Sequence, residues 1–247
     1  MVREMKIIAI IPARSGSKGL PDKNISDIFG HPLISYTIRC ALRSNLLDRV
    51  VLSTDSSEYA DIGKCYGASV PFLRPSSLSL DTTTTESTLQ HSLNLAEHHF
   101  DETFDICVFL SPTDFFRTSF MIDSVVQSLI DDPTLESSFT SNKSTKNYWS
   151  FSEDSTSRLE PWMHQYSSRQ TRKFVLREDT GRACASRASL WRDGKRIGDN
   201  VKHYITSGTE FEIDIHTSHD LLLLKSTLEF FKINDPSSFL SYTHGLL

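Results

Sequence analysis

The chain has little that would tie it to redox chemistry, to a membrane or to nucleic acid. It carries four cysteines in 247 residues, at Cys40, Cys65, Cys107 and Cys184, with no C-x-x-C pair. That spacing gives no support to a disulfide framework or a thiolate metal centre, and the apolar surroundings of each cysteine lead us to expect buried free thiols. No apolar run approaches the length of a membrane span, and MVREMK runs into a strand with no secretory leader pattern, so a cytoplasmic protein without a membrane partner is expected. Positive charge is not in excess: 26 Lys and Arg stand against 31 Asp and Glu, a net charge of −5. A nucleic-acid partner is not expected on that balance. Among phosphate-binding fingerprints, neither G-x-x-x-x-G-K-[ST] nor G-x-G-x-x-G can be fitted to the glycines near the N-terminus. The histidine pair His98-His99 reads as an exposed helix end, not as a ligand pair.

What is present is a chain of ordinary globular composition, 38% hydrophobic and 23% charged, long enough for one good core or a core with a subsidiary lobe. Its organising stretch is Ile7 to Asn24, IIAIIPARSGSKGLPDKN. The apolar half reads as a strand buried on both faces, as the centre of a parallel sheet requires. The loop that follows holds two glycines, two serines and the cations Arg14, Lys18 and Lys23. A loop at the carboxyl end of a central parallel strand lies where open α/β sheets place ligands. Its small residues let backbone N–H groups approach a polyanion. Two readings stand on the residues alone: a triphosphate cradle, and a flexible surface loop whose lysines serve solubility.

The rest of the chain alternates. Pro32 opens a helix to about Leu47, with Leu33, Ile34, Ile38, Ala41 and Leu42 on one face. Arg49–Asp55 is a strand, Ser57–Tyr66 a helix stopped by Gly67, and Ala68–Leu73 a short strand. A hydroxyl-rich segment from Arg74 to Glu86 precedes a helix ending near His99, capped by Asp81 or a following threonine. Asp105–Leu110 is a buried strand that empties into Ser111–Thr118. Then come a helix over Thr118–Asp132 and a strand over Leu135–Thr140. From Asn142 the chain turns polar, and it later offers an acidic strand, Phe211–His216, before a Thr217-capped helix. This alternation predicts an α/β fold with a mostly parallel, doubly wound sheet in three layers.

The string IPARSGSKGLPDKN resembles the signature of the acylneuraminate cytidylyltransferases, the CMP-sialic acid synthetases, with the CMP-Kdo synthetases as more distant relatives. Further segments are similar in order: S-T-D before a helix, R-P…L-S-L-D, L-S-P-T-D-F-F-R-T, Arg169-Gln170, and D-I-H…D-L near the C-terminus. The resemblance implies a sheet of the nucleotide-diphospho-sugar transferase type, in a single domain over 1–247. Residues 142–180 would protrude as a dimerisation arm of a homodimer. It also implies CTP and an acidic 2-keto sugar as substrates. CTP would be held by Arg14, Ser15, Gly16, Ser17, Lys18, Lys23 and Asn24, with Arg74, Ser79 and Asp81 along the base. The sugar would meet Ser111, Thr113, Lys143, Arg169, Gln170, Thr180 and Gly181. Lys143 and Arg169 read equally well as surface charges, and the 74–86 hydroxyls as a solvated loop.

Besides Asp114-Phe115, which stands where the family has a Ser-Pro pair, the sequence departs from the family pattern at three places: Ser111 replaces a glutamine, Thr180 an asparagine, and His216 an aspartate. The first two fall on the acceptor-sugar side. The third touches the magnesium site, which the family builds from two aspartates. Here Asp214 is the expected metal ligand. Histidine suits magnesium poorly, so His216 is a weak second ligand; either Asp214 suffices together with phosphate oxygens and waters, which is the reading we favour, or the pair is Glu212 and Asp214, or the site takes manganese or is weakened. Arg14, Lys18 and Asp214 are the expected catalytic residues of a cytidylyltransferase that transfers CMP from CTP to the sugar's anomeric hydroxyl and releases pyrophosphate. Another nucleotidyltransferase, or a catalytically weakened nucleotide-binding paralogue, is the alternative.

Overall fold

The computed structural model describes residues 5–144, 146, 149–151, 159–161 and 174–247, with backbone alone over 149–151 and 159–161. Eleven strands occur among these residues: β1 Ile7–Pro12, β2 Asp27–Ile28, β3 His31–Pro32, β4 Arg49–Ser53, β5 Ile106–Phe109, β6 Ser137–Ser144, β7 Trp149–Phe151, β8 Leu159–Pro161, β9 Val175–Glu178, β10 Cys184–Arg187 and β11 Val201–Thr206. The α-helices are α1 Leu33–Leu42, α2 Ser57–Cys65, α3 Thr85–Phe100, α4 Ser119–Asp131, α5 Ala188–Arg192, α6 Ser218–Asn234 and α7 Pro236–Thr243.

Seven strands make one sheet in the order β11-β6-β10-β5-β1-β4, with β9 also paired to β6. β4, β1, β5, β6 and β11 run in one direction, and only β9 and β10 oppose them. The mostly parallel sheet expected from the alternation is therefore present. Strand β1 explains its own central place. Ile7, Ala9 and Ile11 enter a core with α1, α2 and α4, while Ile8 and Ile10 enter another with α3 and α5 on the opposite face. A strand apolar at every position suits a sheet covered on both sides. A third cluster joins Phe115 and Phe116 of the loop after β5 to Phe211, Ile215 and helices α6 and α7. It carries the C-terminal segment to the carboxyl ends of β1 and β5.

Several local expectations need correction. Residues 68–73 form no strand; only Ser69 bridges to Val51, since Pro71 has no N–H for a ladder and disfavours helix for the residue before it. Phe211–His216 is not a strand either. A 3-10 turn covers Glu210–Glu212, and the Phe211 carbonyl is taken by two arginines instead of a neighbouring strand. Cys40, Cys107 and Cys184 are buried and free, but Cys65 is exposed, because the inward face of α2 is Tyr59, Ala60 and Gly63. The last helix, α7, was not expected. In the segment expected to form an arm, β7 pairs antiparallel with β8, while residues 145, 147–148, 152–158 and 162–173 lie outside the described residues. No described helix is long and apolar enough to cross a membrane.

Truncation at the sheet's centre tests this account. Ile10 has no exposed surface, so Ile10→Ala is expected to lower unfolding free energy by about 2–5 kcal/mol in urea titrations. Ile205→Ala, at a side chain 44% exposed, is expected to change it by about 0.5 kcal/mol or less.

Candidate active site

The loop after β1 is shaped by contacts reaching across the molecule. Its start is fixed to the end of β4, where the Ser15 N–H donates to Asp55 Oδ1 at 2.9 Å. Buried Asn24 closes it by donating to the Arg14 carbonyl at 3.0 Å. Two further contacts carry it to the C-terminal segment. Lys23 Nζ donates to the Ile215 carbonyl at 3.0 Å, and Gly19 lies so near the His216 carbonyl oxygen that a Cβ there would be 2.7 Å away. Burial lowers the Lys23 pKa, with Arg14 adding to the effect and Asp214 opposing it.

This loop, the segment after residue 74 and the loop after β5 enclose a cavity of about 440 Å³. Lys18 and Arg14 meet there on one carboxylate: Lys18 Nζ is 2.5 Å from Asp81 Oδ2, and Arg14 Nη2 is 2.6 Å from Asp81 Oδ1. Hydrogen bonds from Lys18 and then Arg14 hold the Asp81 carboxyl below the usual range. Arg74, 6% exposed, borders the same space. Its backbone N–H donates to the Thr54 carbonyl and its Nη1 to Thr88 Oγ1. Nε and Nη2 have no partner among the described residues, and burial lowers its pKa.

A second cavity, of about 480 Å³, shares Phe109, Ser111, Thr113 and His216 with the first. Its wall is fixed by buried arginines. Arg117 has no exposed surface and donates to the carbonyls of Arg182 (2.7 Å), Gly181 (2.9 Å) and Ser111, and to Thr37 Oγ1. Burial pushes its pKa down to about 10. Asp179 accepts from both Arg177 and Arg182, and each arginine also donates to the Phe211 carbonyl, at 2.7 and 2.9 Å. The Ile215 N–H donates to the Thr113 carbonyl at 3.2 Å. Asp214 is thus suspended between two fixed points, Phe211 and Ile215. Asp114 faces the same cavity, and its pKa is raised to about 6 by burial first and by the Asp214 charge second.

The Asp214 side chain is 45% exposed and its Oδ2 lies 2.7 Å from His216 Nε2. An ionised carboxylate only accepts, so the imidazole donates and that ring nitrogen is unavailable to an ion. Glu212 faces Lys146 at 3.8 Å. No three His, Cys, Asp or Glu side chains among the described residues form a metal cage. Magnesium commonly uses one or two carboxylates and completes its shell with phosphate oxygens and waters. A half-exposed Asp214 on the wall of the second cavity, two residues from His216 at the junction, fits that donor pattern, whereas His216 does not.

Of the expected nucleotide residues, Arg14, Ser17, Lys18, Lys23, Asn24, Arg74 and Asp81 line the first cavity. Ser15, Gly16 and Ser79 do not line it; the Ser79 hydroxyl bonds the Pro75 carbonyl, and its own carbonyl accepts from Arg14. On the acceptor side, Ser111 and Thr113 sit between the cavities and Thr180 and Gly181 line the second. Lys143 lies over the Phe174 ring at 4.8 Å and lines neither cavity. Arg169 and Gln170 lie outside the described residues. Asp55, Asp114, Arg117, Arg177, Asp179 and Arg182 were not among the expected site residues. Arg182 had a signal, a lone cation beside the apolar run Ala183-Cys184-Ala185.

A family model described as "Cytidylyltransferase" matches residues 8–148, more than half of the chain. Similar curated proteins include the CMP-N,N'-diacetyllegionaminic acid synthase of Legionella pneumophila, 45% identical over 46% of this chain and 48% of that protein. The pseudaminic acid cytidylyltransferase of Campylobacter jejuni is 45% identical over 38% of this chain and 40% of its own. The N-acylneuraminate cytidylyltransferase of Escherichia coli is 42% identical over 49% and 28%. The matches therefore span less than half of each of these relatives. A solved CMP:2-keto-3-deoxy-manno-octonic acid synthetase, complexed with CTP, is similar with a TM-score of 0.68 at 16% identity, covering 91% of this chain and 99% of that one. That likeness concerns the fold.

Two measurements check the geometry. In Gly19→Ala the added methyl meets backbone, so the loop must move; affinity for nucleoside triphosphate is expected to fall about tenfold or more in calorimetric titration while the melting temperature stays within a few degrees. The raised Asp114 pKa means that the folded state holds that proton more tightly than the unfolded chain. Its contribution is fully present below the ordinary Asp pKa near 3.8 and is lost as pH rises through about 6. Asp114→Asn should therefore melt above the wild type at pH 7–8, and the difference should vanish toward pH 4.

Proposed function

The chain belongs to the cytidylyltransferase family, and from that premise we propose that it transfers CMP from CTP to the anomeric hydroxyl of a 2-keto-3-deoxy acid sugar of the nonulosonate class, releasing pyrophosphate. The observation that carries this reading is the convergence of the β1 loop with the Asp214 segment, through Lys23 on the Ile215 carbonyl and Gly19 against that of His216. Two cavities meeting at Ser111, Thr113 and His216 suit an in-line displacement. The triphosphate occupies the first, the sugar the second, and the α-phosphorus lies between them.

Little covalent chemistry is asked of the side chains; positioning and charge stabilisation do the work. Arg14 and Lys18 neutralise the departing pyrophosphate, and Lys23 fixes the loop against Ile215. Arg74 lines the nucleotide cavity and keeps two buried nitrogens, Nε and Nη2, without a partner among the described residues. The hydroxyls of Ser111 and Thr113, 2.8 Å apart, stand at the junction and orient the acceptor. Asp214 is the residue that would hold magnesium. The ion supplies neutralisation of phosphate-oxygen charge when bound. A homodimer belongs to the same proposal, with part of residues 142–180 extending to the second copy; the separate β7–β8 pair supports it.

The test is pyrophosphate release with each nucleoside triphosphate and a panel of sialic, legionaminic, pseudaminic and Kdo-type acids. Turnover is expected with CTP and a nonulosonic acid and to stop with a chelator. Lys18→Ala and Asp214→Ala should each lower kcat by about 10²–10³ with unchanged melting. Tight CTP binding without turnover on any acid would instead mark a nucleotide-binding paralogue.

A further inference from the structure

The phosphate cradle is already engaged by a carboxylate of the chain. Both Asp81 oxygens are committed, one to Lys18 and one to Arg14, and Arg14 Nη1 also donates to the Ser79 carbonyl at 3.2 Å. A triphosphate and this carboxylate claim the same two cations, and like charges do not share them. Asp81 is therefore not a phosphate contact.

The Asp81 side chain is placed to yield. Before it, the Arg74 N–H is fixed to the Thr54 carbonyl at 2.7 Å and a 3-10 turn covers Ser76–Leu78. After it, Thr84 caps α3 by accepting from the Ser87 N–H at 3.2 Å. Between these ends Ser79 and Thr83 bond back to Pro75, Ser76, Ser77 and Leu80, and Leu80 is 58% exposed, so the part free to move is the Asp81 side chain. Lys18 and Asp81 side chains are 82% and 37% exposed, so moving the carboxylate into water costs little desolvation energy.

We propose that Asp81 is a charge gate that sets the polyphosphate specificity of the cradle. It occupies Arg14 and Lys18 when no nucleotide is bound, gives way only to an anion that engages both cations, and competes for them again to hasten release of pyrophosphate. The proposal rests on the nucleotide reading for its natural ligand, but its physics concerns any polyphosphate. One carboxylate spans the two cations, so discrimination comes from charge and not from reach: a polyphosphate brings more negative charge to the same pair than the single phosphate of CMP and displaces Asp81 more strongly. The gate thus sets the balance between triphosphate binding and product retention.

The test is calorimetric titration of wild type, Asp81→Asn and Asp81→Ala with CTP, CMP, pyrophosphate and inorganic tripolyphosphate at low salt, with melting curves for each protein. Both variants are expected to bind CTP, pyrophosphate and tripolyphosphate about two- to tenfold more tightly, with CMP changed less than about twofold, and the gain should shrink at high salt. Pyrophosphate should become a correspondingly stronger product inhibitor. Unchanged or weaker polyphosphate binding in variants that melt normally overturns the gate. Tripolyphosphate separates the two readings. If it tightens while CTP binds neither protein, the gate stands and the nucleotide assignment fails. If CTP binds the wild type and no polyphosphate tightens, the gate fails and the nucleotide assignment stands.

Discussion

The approach of two backbone segments separated by most of the chain is the constraint on which the site depends. Lys23 and Ile215, 192 positions apart, are joined by one ammonium–carbonyl hydrogen bond, and the neighbouring Gly19 can lie against His216 only because it has no side chain. Neither contact is stabilising by much alone. A hydrogen bond from a charged donor contributes about 1.5–3 kcal/mol, and burial of the lysine offsets part of it. The third apolar cluster supplies the rest, since Phe211 and Ile215 are buried together with Phe115, Phe116 and helices α6 and α7. Hydrophobic packing brings the acidic segment to the cation-bearing loop, and the two polar contacts set its register.

The second cavity shows how charge is tolerated once the segments meet. Buried charges persist where they are paired and hydrogen-bonded. Arg117 is satisfied by carbonyls and a hydroxyl, and Arg182 by Asp179 and the Phe211 carbonyl, which the exposed Arg177 also engages. Asp114 has no such set: its nearest cation is Arg182, at 4.0 Å, and Asp214 works against its ionisation. The arginines hold the wall, and the less satisfied carboxylate is left facing the space to be filled.

Much of this was legible in the residues because it is local. The apolar run at Ile7–Ile11, the β–α alternation, the Thr217 cap and the cation-bearing loop each follow from neighbours in sequence. Tertiary partners hid the rest. Residues 211–216 alternate as a strand does, yet arginines from another segment take the Phe211 carbonyl and the ladder never forms. Asp114 looked like a bare departure from a pattern until Asp214 was beside it. Arg117 looked like one more motif residue, since nothing nearby in sequence states that a guanidinium will be buried against four oxygens. Asp81 was expected along the base and lines the first cavity, but chain order does not reveal that Arg14 and Lys18 turn toward it.

Arg117 fixes the wall of the second cavity through peptide oxygens, which every amino acid supplies alike. The side chains at positions 111, 180 and 181 can then be exchanged with little change to the main-chain frame behind them, except where bulk intrudes, as it would at Gly181 against Asp114. A frame anchored in this manner separates architecture from selectivity. Descendants of one ancestor would then change what the second cavity admits by editing a handful of positions, while the cation-bearing loop beside it passes on unaltered.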